Sequence, residues 1–157
     1  MKKYMGVWLL ILLLLSLAAC GGSREGTETT VAPDPEGLTV TYYHGAGRGS
    51  KLIEESVQIP KLTAQGILDL MIREEILPEN TKIRNFRLSQ GVITLDLSAA
   101  FEEGIQGLSK SGERVMMGSL VNTFLTVYEA EGLDLTIEGR VLKTTRHIYD
   151  DTLRFYD

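Results

Sequence analysis

The sequence predicts an α+β domain in which a small mixed β-sheet carries two helices packed on one face. Short segments with alternating apolar and polar residues predict strands, and two longer segments with apolar residues at i, i+3, i+4 and i+7 predict helices. The predicted order is β-β-α-β-β-α-β, which contains a β-α-β-β-α-β unit. This arrangement buries both helical stripes, and about 120 residues suffice for one such domain.

The predicted domain begins with a β-hairpin. Residues 38–43 (LTVTYY) alternate and are rich in β-branched and aromatic side chains, and residues 52–59 (LIEESVQI) predict a second strand before Pro60. Between them, residues 45–50 (GAGRGS) lack the spacing of a phosphate-binding loop and are typical of a turn. We therefore predict a hairpin loop here and not a phosphate site.

A helix and a second hairpin follow. Thr63 is placed to cap a helix over residues 64–75, whose apolar residues recur on one face. Residues 81–89 and 92–98 alternate on either side of Gln90-Gly91, a turn signal that supplies a positive φ. These two strands are predicted to pair.

The second predicted helix has the strongest apolar stripe. It begins after a cap at Ser111 and continues to Glu131, and Gly132 is placed to end it at the C′ position. Three short elements complete the predicted domain: a strand over 133–137, a turn at Glu138-Gly139 and a strand over 141–143.

Residues 144–157 (TTRHIYDDTLRFYD) form a C-terminal tail with no clear period. The tail contains aromatic residues and arginines, which are enriched at protein interfaces. Docking of the tail onto its own domain explains these residues equally well. Both interpretations remain open from the sequence.

An apolar run precedes the domain. Residues 6–19 are 14 uncharged residues, fewer than the roughly 18 to 20 that a membrane-spanning helix needs. Lys2 and Lys3 in front of the run form a basic segment. The pattern predicts a signal peptide over residues 1–19, in preference to a transmembrane helix or a buried core helix.

Cys20 is the only cysteine and follows the apolar run directly. Residues 17–20 (LAAC) resemble the bacterial lipobox, in which a diacylglycerol is attached to the cysteine before cleavage. The alternative, a cleaved signal beside a spare cysteine, leaves an unpaired thiol in an exported protein. We expect an exported lipoprotein on the outer face of the cytoplasmic membrane, or on the outer membrane in a diderm host, since two or more acyl chains anchor stably.

Residues 20–37 are predicted to form the lipidated cysteine and a flexible tether. The segment is rich in Gly, Thr, Pro and Glu and has few large apolar side chains. A flexible chain of this length spans on the order of 20 to 25 Å. The folded domain is therefore expected to work close to the membrane.

Composition excludes several classes of partner and stabilising bond. Without residues 1–19 the chain keeps 14 basic and 21 acidic residues, a net charge of −7. A negative domain disfavours nucleic acid and anionic lipid headgroups as partners. With Cys20 lipidated, no cysteine remains for a disulfide, so packing must stabilise the fold.

The sequence shows no pattern of residues for catalysis, metal binding or a cofactor. His44 and His147 are the only histidines, and neither has a second ligand at metal spacing. No G-x-S-x-G segment is present, and the acidic pairs are sequence neighbours, whose side chains diverge on a strand or a helix. We expect no catalytic residue, no metal and no cofactor.

The candidate partner surface consists of aromatic and charged residues of the strands and the tail to which no other role is assigned. Asp96 lies on the strand face opposite Leu95 and Leu97, although an Asx or Ser turn that ends the strand also explains it. The candidate residues are Tyr42, Tyr43, Asp96, Arg146 and Tyr149.

Three segments form a recognisable pattern: residues 91–101 (GVITLDLSAAF), the helix containing residues 122–126 (NTFLT) and the turn at Glu138-Gly139. Together they resemble the GerMN domain, a family named for sporulation and spore germination. The resemblance covers about residues 38–143 and excludes the tail. It implies a non-enzymatic α+β module, similar to the ring-building domains of envelope channels, that acts through protein contacts.

These observations favour a membrane-anchored, non-enzymatic lipoprotein whose GerMN-like domain mediates protein assembly in the cell envelope during sporulation or germination. The expected partners are the membrane, through the lipid anchor, and envelope proteins or further copies of the chain. The alternative is a lipoprotein that binds cell-wall glycan, such as peptidoglycan, or a small ligand, with Tyr42 and Tyr43 as a platform. A hydrolase is the least favoured hypothesis.

Overall fold

The computed structural model of the chain describes residues 37–47 and 51–157, which have the predicted α+β architecture. The predicted signal peptide, Cys20, all but the last residue of the tether, and residues 48–50 of the glycine loop lie outside the described residues. Among the described residues, no helix combines the length and apolar character that a membrane span requires.

The described elements have the following bounds. In chain order they are β1 (Leu38–Gly45), β2 (Leu52–Ile59), α1 (Ala64–Arg73), β3 (Ile83–Ser89), β4 (Val92–Leu97), α2 (Ala99–Gln106), α3 (Lys110–Val127), β5 (Gly132–Ile137), β6 (Arg140–Lys143) and β7 (Ile148–Tyr149).

The strands form two sheets. The hairpin of β1 and β2 is an antiparallel sheet of its own, whereas the sequence predicted one sheet for all strands. The second sheet has the order β3-β4-β5-β6-β7 and is mixed, because β4 and β5 are parallel while the other neighbours are antiparallel. The β3–β4 pairing predicted from residues 81–98 is confirmed.

Helix α3 packs against both sheets. The β1–β2 hairpin is therefore held in the domain by α3 without pairing with the larger sheet. On one side, the amide of Tyr43 in β1 donates to Thr123 Oγ1 over 2.9 Å, and Leu52 of β2 lies against Gly118. On the other side, the ring of Phe124 packs near that of Phe86 in β3, with the ring centroids 6.2 Å apart. Residues 117–125 are therefore buried without interruption, beyond the single stripe that the sequence predicted.

Helix α2 is an element that the sequence did not predict. It has only two turns, and its core contacts come from Phe101 and Ile105, both fully buried. Its N-cap residue, Ser98, makes no capping bond through its side chain and instead accepts a hydrogen bond from the Lys82 amide over 3.0 Å. The usual start signal is therefore weak, and two apolar residues are too few to establish a helical period.

The predicted boundaries of the long helix were wrong at both ends. Ser109, not Ser111, is the N-cap and accepts a hydrogen bond from the Gly112 amide over 3.1 Å. At the other end Glu129 adopts a left-handed conformation (φ 50°) and ends the helix before Gly132, which begins β5.

The two predicted glycine turns are confirmed by their backbone angles. Gln90 and Gly91 have φ values of 52° and 75°, and Glu138 and Gly139 have values of 53° and 74°. Two successive positive φ values are the signature of the type I′ turn, whose twist matches that of the flanking strands.

The tail docks onto its own domain, which was one of the two interpretations left open. β7 pairs with β6 through Leu142 and Tyr149, and Leu153 forms an antiparallel bridge with Leu133 of β5. Tyr149 and Leu153 join the main hydrophobic core with 8% and 9% of their surface exposed.

Candidate functional site

Tyr42 and Tyr43 point to opposite sides of β1. Tyr42 is buried, and its hydroxyl donates to Glu55 Oε2 over 2.7 Å. This hydrogen bond, together with burial and the nearby negative charge, raises the pKa of Tyr42 to about 12. Tyr42 is thus a core residue and does not offer its ring to a partner.

Tyr43 and Phe155 form an aromatic pair at the surface. Their ring centroids lie 5.5 Å apart in an edge-to-face arrangement, and Phe155 is 50% exposed. Tyr43 belongs to β1 and Phe155 to the tail, so docking of the tail creates the pair. Tyr43 itself is half-buried, and aromatic residues at a surface are enriched in protein interfaces.

Asp96 connects three strands through its carboxylate. Oδ1 accepts hydrogen bonds from Thr136 Oγ1 over 2.7 Å and from the Gly139 amide over 2.8 Å, and Oδ2 lies 3.4 Å from Arg84 Nε. Burial acts to raise the pKa of Asp96, but these hydrogen bonds and the Arg84 charge lower it below its ordinary value. Asp96 lies within β4 and not in a turn after it.

Glu113 connects α3 to the tail and brings two predicted residues together. Its Oε1 accepts hydrogen bonds from Thr144 Oγ1 over 2.6 Å and from the Tyr149 hydroxyl over 3.0 Å, while Oε2 lies 3.3 Å from Arg146 Nη1. Burial acts to raise the pKa of Glu113, but its hydrogen bonds and the Arg146 charge lower it. Burial and the bond to Glu113 raise the pKa of Tyr149.

A pocket of about 650 Å³ opens beside Glu113, between the start of α3 and the tail. Of the candidate partner residues, Arg146 and Tyr149 line it, whereas Tyr42, Tyr43 and Asp96 lie elsewhere. The lining residues are Ser109, Lys110, Ser111, Glu113, Arg114, Arg146, His147, Tyr149 and Tyr156.

The two histidines lie apart in the structure. His44 Nε2 is 3.1 Å from Glu55 Oε1 beside the hairpin, and the His147 ring packs edge-to-face on Tyr149 in the tail. Within residues 37–47 and 51–157, no three His, Cys, Asp or Glu side chains are grouped as metal ligands.

The chemistry of the carboxylates of Asp96 and Glu113 suits hydrogen-bond acceptance better than proton transfer. A general base or acid works best when its pKa lies near the operating pH. The pKa values of Asp96 and Glu113 are instead lowered from ordinary carboxyl values. Both groups therefore stay ionised at neutral pH and hold neighbouring elements in place.

Glu113 and Phe155 are site residues that no sequence pattern indicated. Glu113 lies in the first turn of a helix, where glutamate is common because its negative charge interacts favourably with the helix dipole. Its residue type and position therefore do not indicate burial. Phe155 was recognised only as one of several tail aromatics. Its pairing with Tyr43 depends on a contact between residues that are distant in the sequence, which no local pattern reveals.

The fold and this site define a small α+β domain in which Asp96 connects three strands and the buried Glu113 connects α3 to the C-terminal tail. The family model Germane, described as sporulation and spore germination, matches residues 28–143. The chain belongs to this family and contains a GerMN domain. The matched region ends at Lys143, so the tail lies beyond it.

Solved structures share this fold at low sequence identity. The tandem GerMN domains of the sporulation protein GerM from Bacillus subtilis match with a TM-score of 0.54 and 15% identity over 76% of this chain and 44% of that one. The present chain thus spans less than half of the tandem protein's length. The first GerMN domain of the same protein matches with a TM-score of 0.49 and 16% identity, over 76% and 95% of the two chains.

A candidate lipoprotein from Clostridium perfringens matches with a TM-score of 0.45 and 12% identity, over 75% of this chain and 87% of that one. No curated protein matches the sequence.

Proposed function

We propose that this protein is a lipid-anchored, non-enzymatic module that assembles with other envelope proteins during sporulation or germination. The proposal rests on membership of the sporulation and spore germination family. The observation that carries the contact role is the surface pair of Tyr43 and Phe155, because it joins a half-buried ring and an exposed ring from two parts of the chain. The lowered pKa values of Asp96 and Glu113 support a structural use of both carboxylates.

Membrane anchoring is proposed to occur through a diacylglycerol on the sulfur of Cys20. The anchor would hold the domain on the outer face of the cytoplasmic membrane, or on the outer membrane of a diderm host. Cys20→Ser should move the protein from the membrane fraction to the soluble fraction, or leave an uncleaved precursor. Normal processing and unchanged membrane retention of this variant would contradict the anchor.

The contact role is tested by crosslinking in cells that express the full lipidated chain. Tyr43→Ala and Phe155→Ala should each reduce crosslinks to envelope proteins, because either change removes one ring of the pair. Leu88→Ala is the matched control, since Leu88 is also apolar and 44% exposed but lies on β3. Crosslinks that stay unchanged in both aromatic variants would contradict the proposed surface.

Binding of cell-wall glycan is the second candidate function, and the same aromatic pair supports it. An exposed ring offers a flat apolar face on which a sugar can stack. Tyr42 is buried, so the platform would consist of Tyr43 and Phe155. Co-sedimentation with purified peptidoglycan that is lost in Tyr43→Ala would favour this function, whereas absence of co-sedimentation of the unaltered protein would exclude it.

A further inference from the structure

The pocket beside Glu113 is built jointly by the family domain and the tail. Ser109, Lys110 and Arg114 come from the start of α3, within the matched region, whereas Arg146 and Tyr156 come from the tail beyond Lys143. Docking of the tail therefore creates a cavity that the matched domain alone does not enclose.

The pocket concentrates positive charge in an acidic chain. Lys110, Arg114 and Arg146 line it, while Glu113 is the only acidic lining residue, which leaves an excess of two positive charges. The chain as a whole has a net charge of −5. The local sign is therefore opposite to the sign of the whole chain, and it favours an anionic ligand.

The Glu113 carboxylate pairs with Arg146 and leaves the charges of Lys110 and Arg114 available to a ligand. This carboxylate is only 4% exposed and is held by Thr144 and Tyr149 as well as by Arg146. Lys110 is exposed at the first position of α3, and Arg114 donates one hydrogen bond to the Asp157 carbonyl oxygen over 2.7 Å. A guanidinium carries five N–H donors, so Arg114 keeps donors for a ligand.

The rest of the lining combines hydroxyl groups with aromatic rings. The hydroxyls of Ser109 and Ser111 lie 3.1 Å apart at one side of the pocket. The aromatic residues of the lining are His147, Tyr149 and Tyr156. A largely apolar pocket with a few converging polar groups is the usual form of a small-ligand site.

We propose that this pocket binds a phosphate group carried on a sugar. A phosphate monoester has a charge of about −1.5 to −2 at neutral pH and several acceptor oxygens, which matches the excess positive charge and the number of donors. The sugar would pack on the ring of Tyr156, which is only partly buried, whereas Tyr149 belongs to the core. This inference goes beyond the proposed assembly function and concerns a different surface from the Tyr43 and Phe155 pair.

Calorimetric titration of the full chain in detergent tests the proposal with three probes: glucose 1-phosphate, inorganic phosphate and glucose. Saturable binding of glucose 1-phosphate, at least tenfold tighter than that of inorganic phosphate, is expected, with no detectable binding of glucose. Lack of saturable binding of glucose 1-phosphate would overturn the proposal. Equal affinity for the two phosphates would overturn the assignment of the sugar.

Two variants connect binding to the pocket. Lys110→Gln and Arg114→Gln should each weaken binding of glucose 1-phosphate at least tenfold, because a hydrogen bond to a charged group contributes about that factor or more. Lys61→Gln, which removes an exposed lysine outside the pocket, is the matched control and should bind normally. Affinity that is unchanged in both pocket variants would overturn the site while leaving the crosslinking result on Tyr43 and Phe155 unaffected.

Discussion

Glu113 shows how one buried carboxylate can join two distant parts of the chain. The group is almost fully removed from water, so its charge has to be compensated by donors inside the protein. The hydroxyls of Thr144 and Tyr149 and the guanidinium of Arg146 supply that compensation. All three donors belong to the tail, so the charge of Glu113 favours the docked tail.

Replacing this charge should weaken the fold and change its response to acid. Glu113→Gln is expected to lower the free energy of unfolding at pH 7 by about 1.5 to 3 kcal/mol, the range for hydrogen bonds to charged groups. The pKa of Glu113 is lowered in the folded state, so its stabilisation is present above the ordinary value of 4.5 and is lost as the pH falls. Urea unfolding between pH 7 and pH 3 should show a shallower acid limb in the variant.

The control for this prediction is Glu103→Gln, which neutralises an exposed glutamate on α2. It should leave both the stability at pH 7 and the acid limb close to those of the unaltered protein. If Glu113→Gln and Glu103→Gln gave the same pH profile, the tail donors would not be compensating the Glu113 charge.

At single positions, the sequence did not distinguish two neighbouring tyrosines. The predicted platform combines Tyr42 and Tyr43, whereas the structure shows Tyr42 in the core and Tyr43 half-buried at the surface on the other side of β1. Which face is inward depends on α3, which packs against β1 from 80 positions along the chain. A local pattern carries no information on such a contact.

At the scale of elements, two helices end in the same uncommon way. After α1 and α3, a glutamate adopts the left-handed conformation, with φ 57° at Glu75 and φ 50° at Glu129. The next residue, Ala130 after α3, donates its amide to the Leu125 carbonyl oxygen over 2.9 Å, which is the bond of a Schellman motif. Glycine usually occupies this position, because it alone has no Cβ penalty there.

Glycine at this position should therefore stabilise the protein. Glu129→Gly is expected to raise the free energy of unfolding by about 0.5 to 1 kcal/mol, because the left-handed penalty of about 1 to 2 kcal/mol exceeds the roughly 0.4 to 1 kcal/mol that glycine costs through the unfolded chain. Urea unfolding measures the change. Glu129→Ala keeps the backbone penalty and is the control, so equal stabilisation by both variants would show that the glutamate side chain, not the backbone, is responsible.

The packing of α2 reverses the usual effect of filling a helical glycine. Alanine normally exceeds glycine in helix stability by about 1 kcal/mol. At Gly104, however, a Cβ would lie 2.7 Å from Pro78 Cβ and would clash with Pro78 Cγ as well. Gly104→Ala is therefore expected to lower the free energy of unfolding by about 1 to 3 kcal/mol, the usual cost of overpacking.

Gly107→Ala is the matched control for the α2 prediction. Gly107 caps the end of the same helix with a right-handed φ of −84°, and no atom lies within 4 Å of an added Cβ. It should leave stability unchanged or raise it slightly in the same urea titration. Loss of stability in Gly107→Ala but not in Gly104→Ala would contradict the described contact between α2 and Pro78.

The elements that could be predicted from the sequence are those with a long period or a required backbone angle. The apolar stripe predicted α3, and the glycines at positions 91 and 139 predicted two hairpin turns that their φ values confirm. Helix α2 was not predicted, because its two buried residues do not define a helical period. The end of α3 was misplaced because Glu129, a residue with no preference for positive φ, takes the position that glycine usually occupies.

At the scale of the whole molecule, the tail extends the larger sheet beyond the matched domain. β6 pairs with only the end of β5, through Thr136 and Ile137. The start of β5 is paired instead with the tail, because Leu133 and Leu153 exchange both backbone hydrogen bonds, at 3.0 and 2.8 Å. The sequence is compatible with docking of the tail but does not select it, because the bridge between Leu133 and Leu153 joins residues 20 positions apart.

Removing the tail should therefore both destabilise the domain and expose a strand edge. A chain that ends at Lys143 loses the buried side chains of Tyr149 and Leu153, and burial of one large apolar side chain contributes about 1.5 to 3 kcal/mol. We expect the free energy of unfolding, measured with urea, to fall by about 3 to 6 kcal/mol. Sedimentation velocity should show concentration-dependent self-association, since an unpaired edge recruits other strands.

The control is Ile148→Ala in the full-length chain, which shortens a tail side chain that is 51% exposed and should change neither measurement. A truncated chain that stays monomeric and keeps full stability would contradict this prediction. The larger sheet would then be complete without the tail, and the tail would contribute the pocket beside Glu113 but no stability.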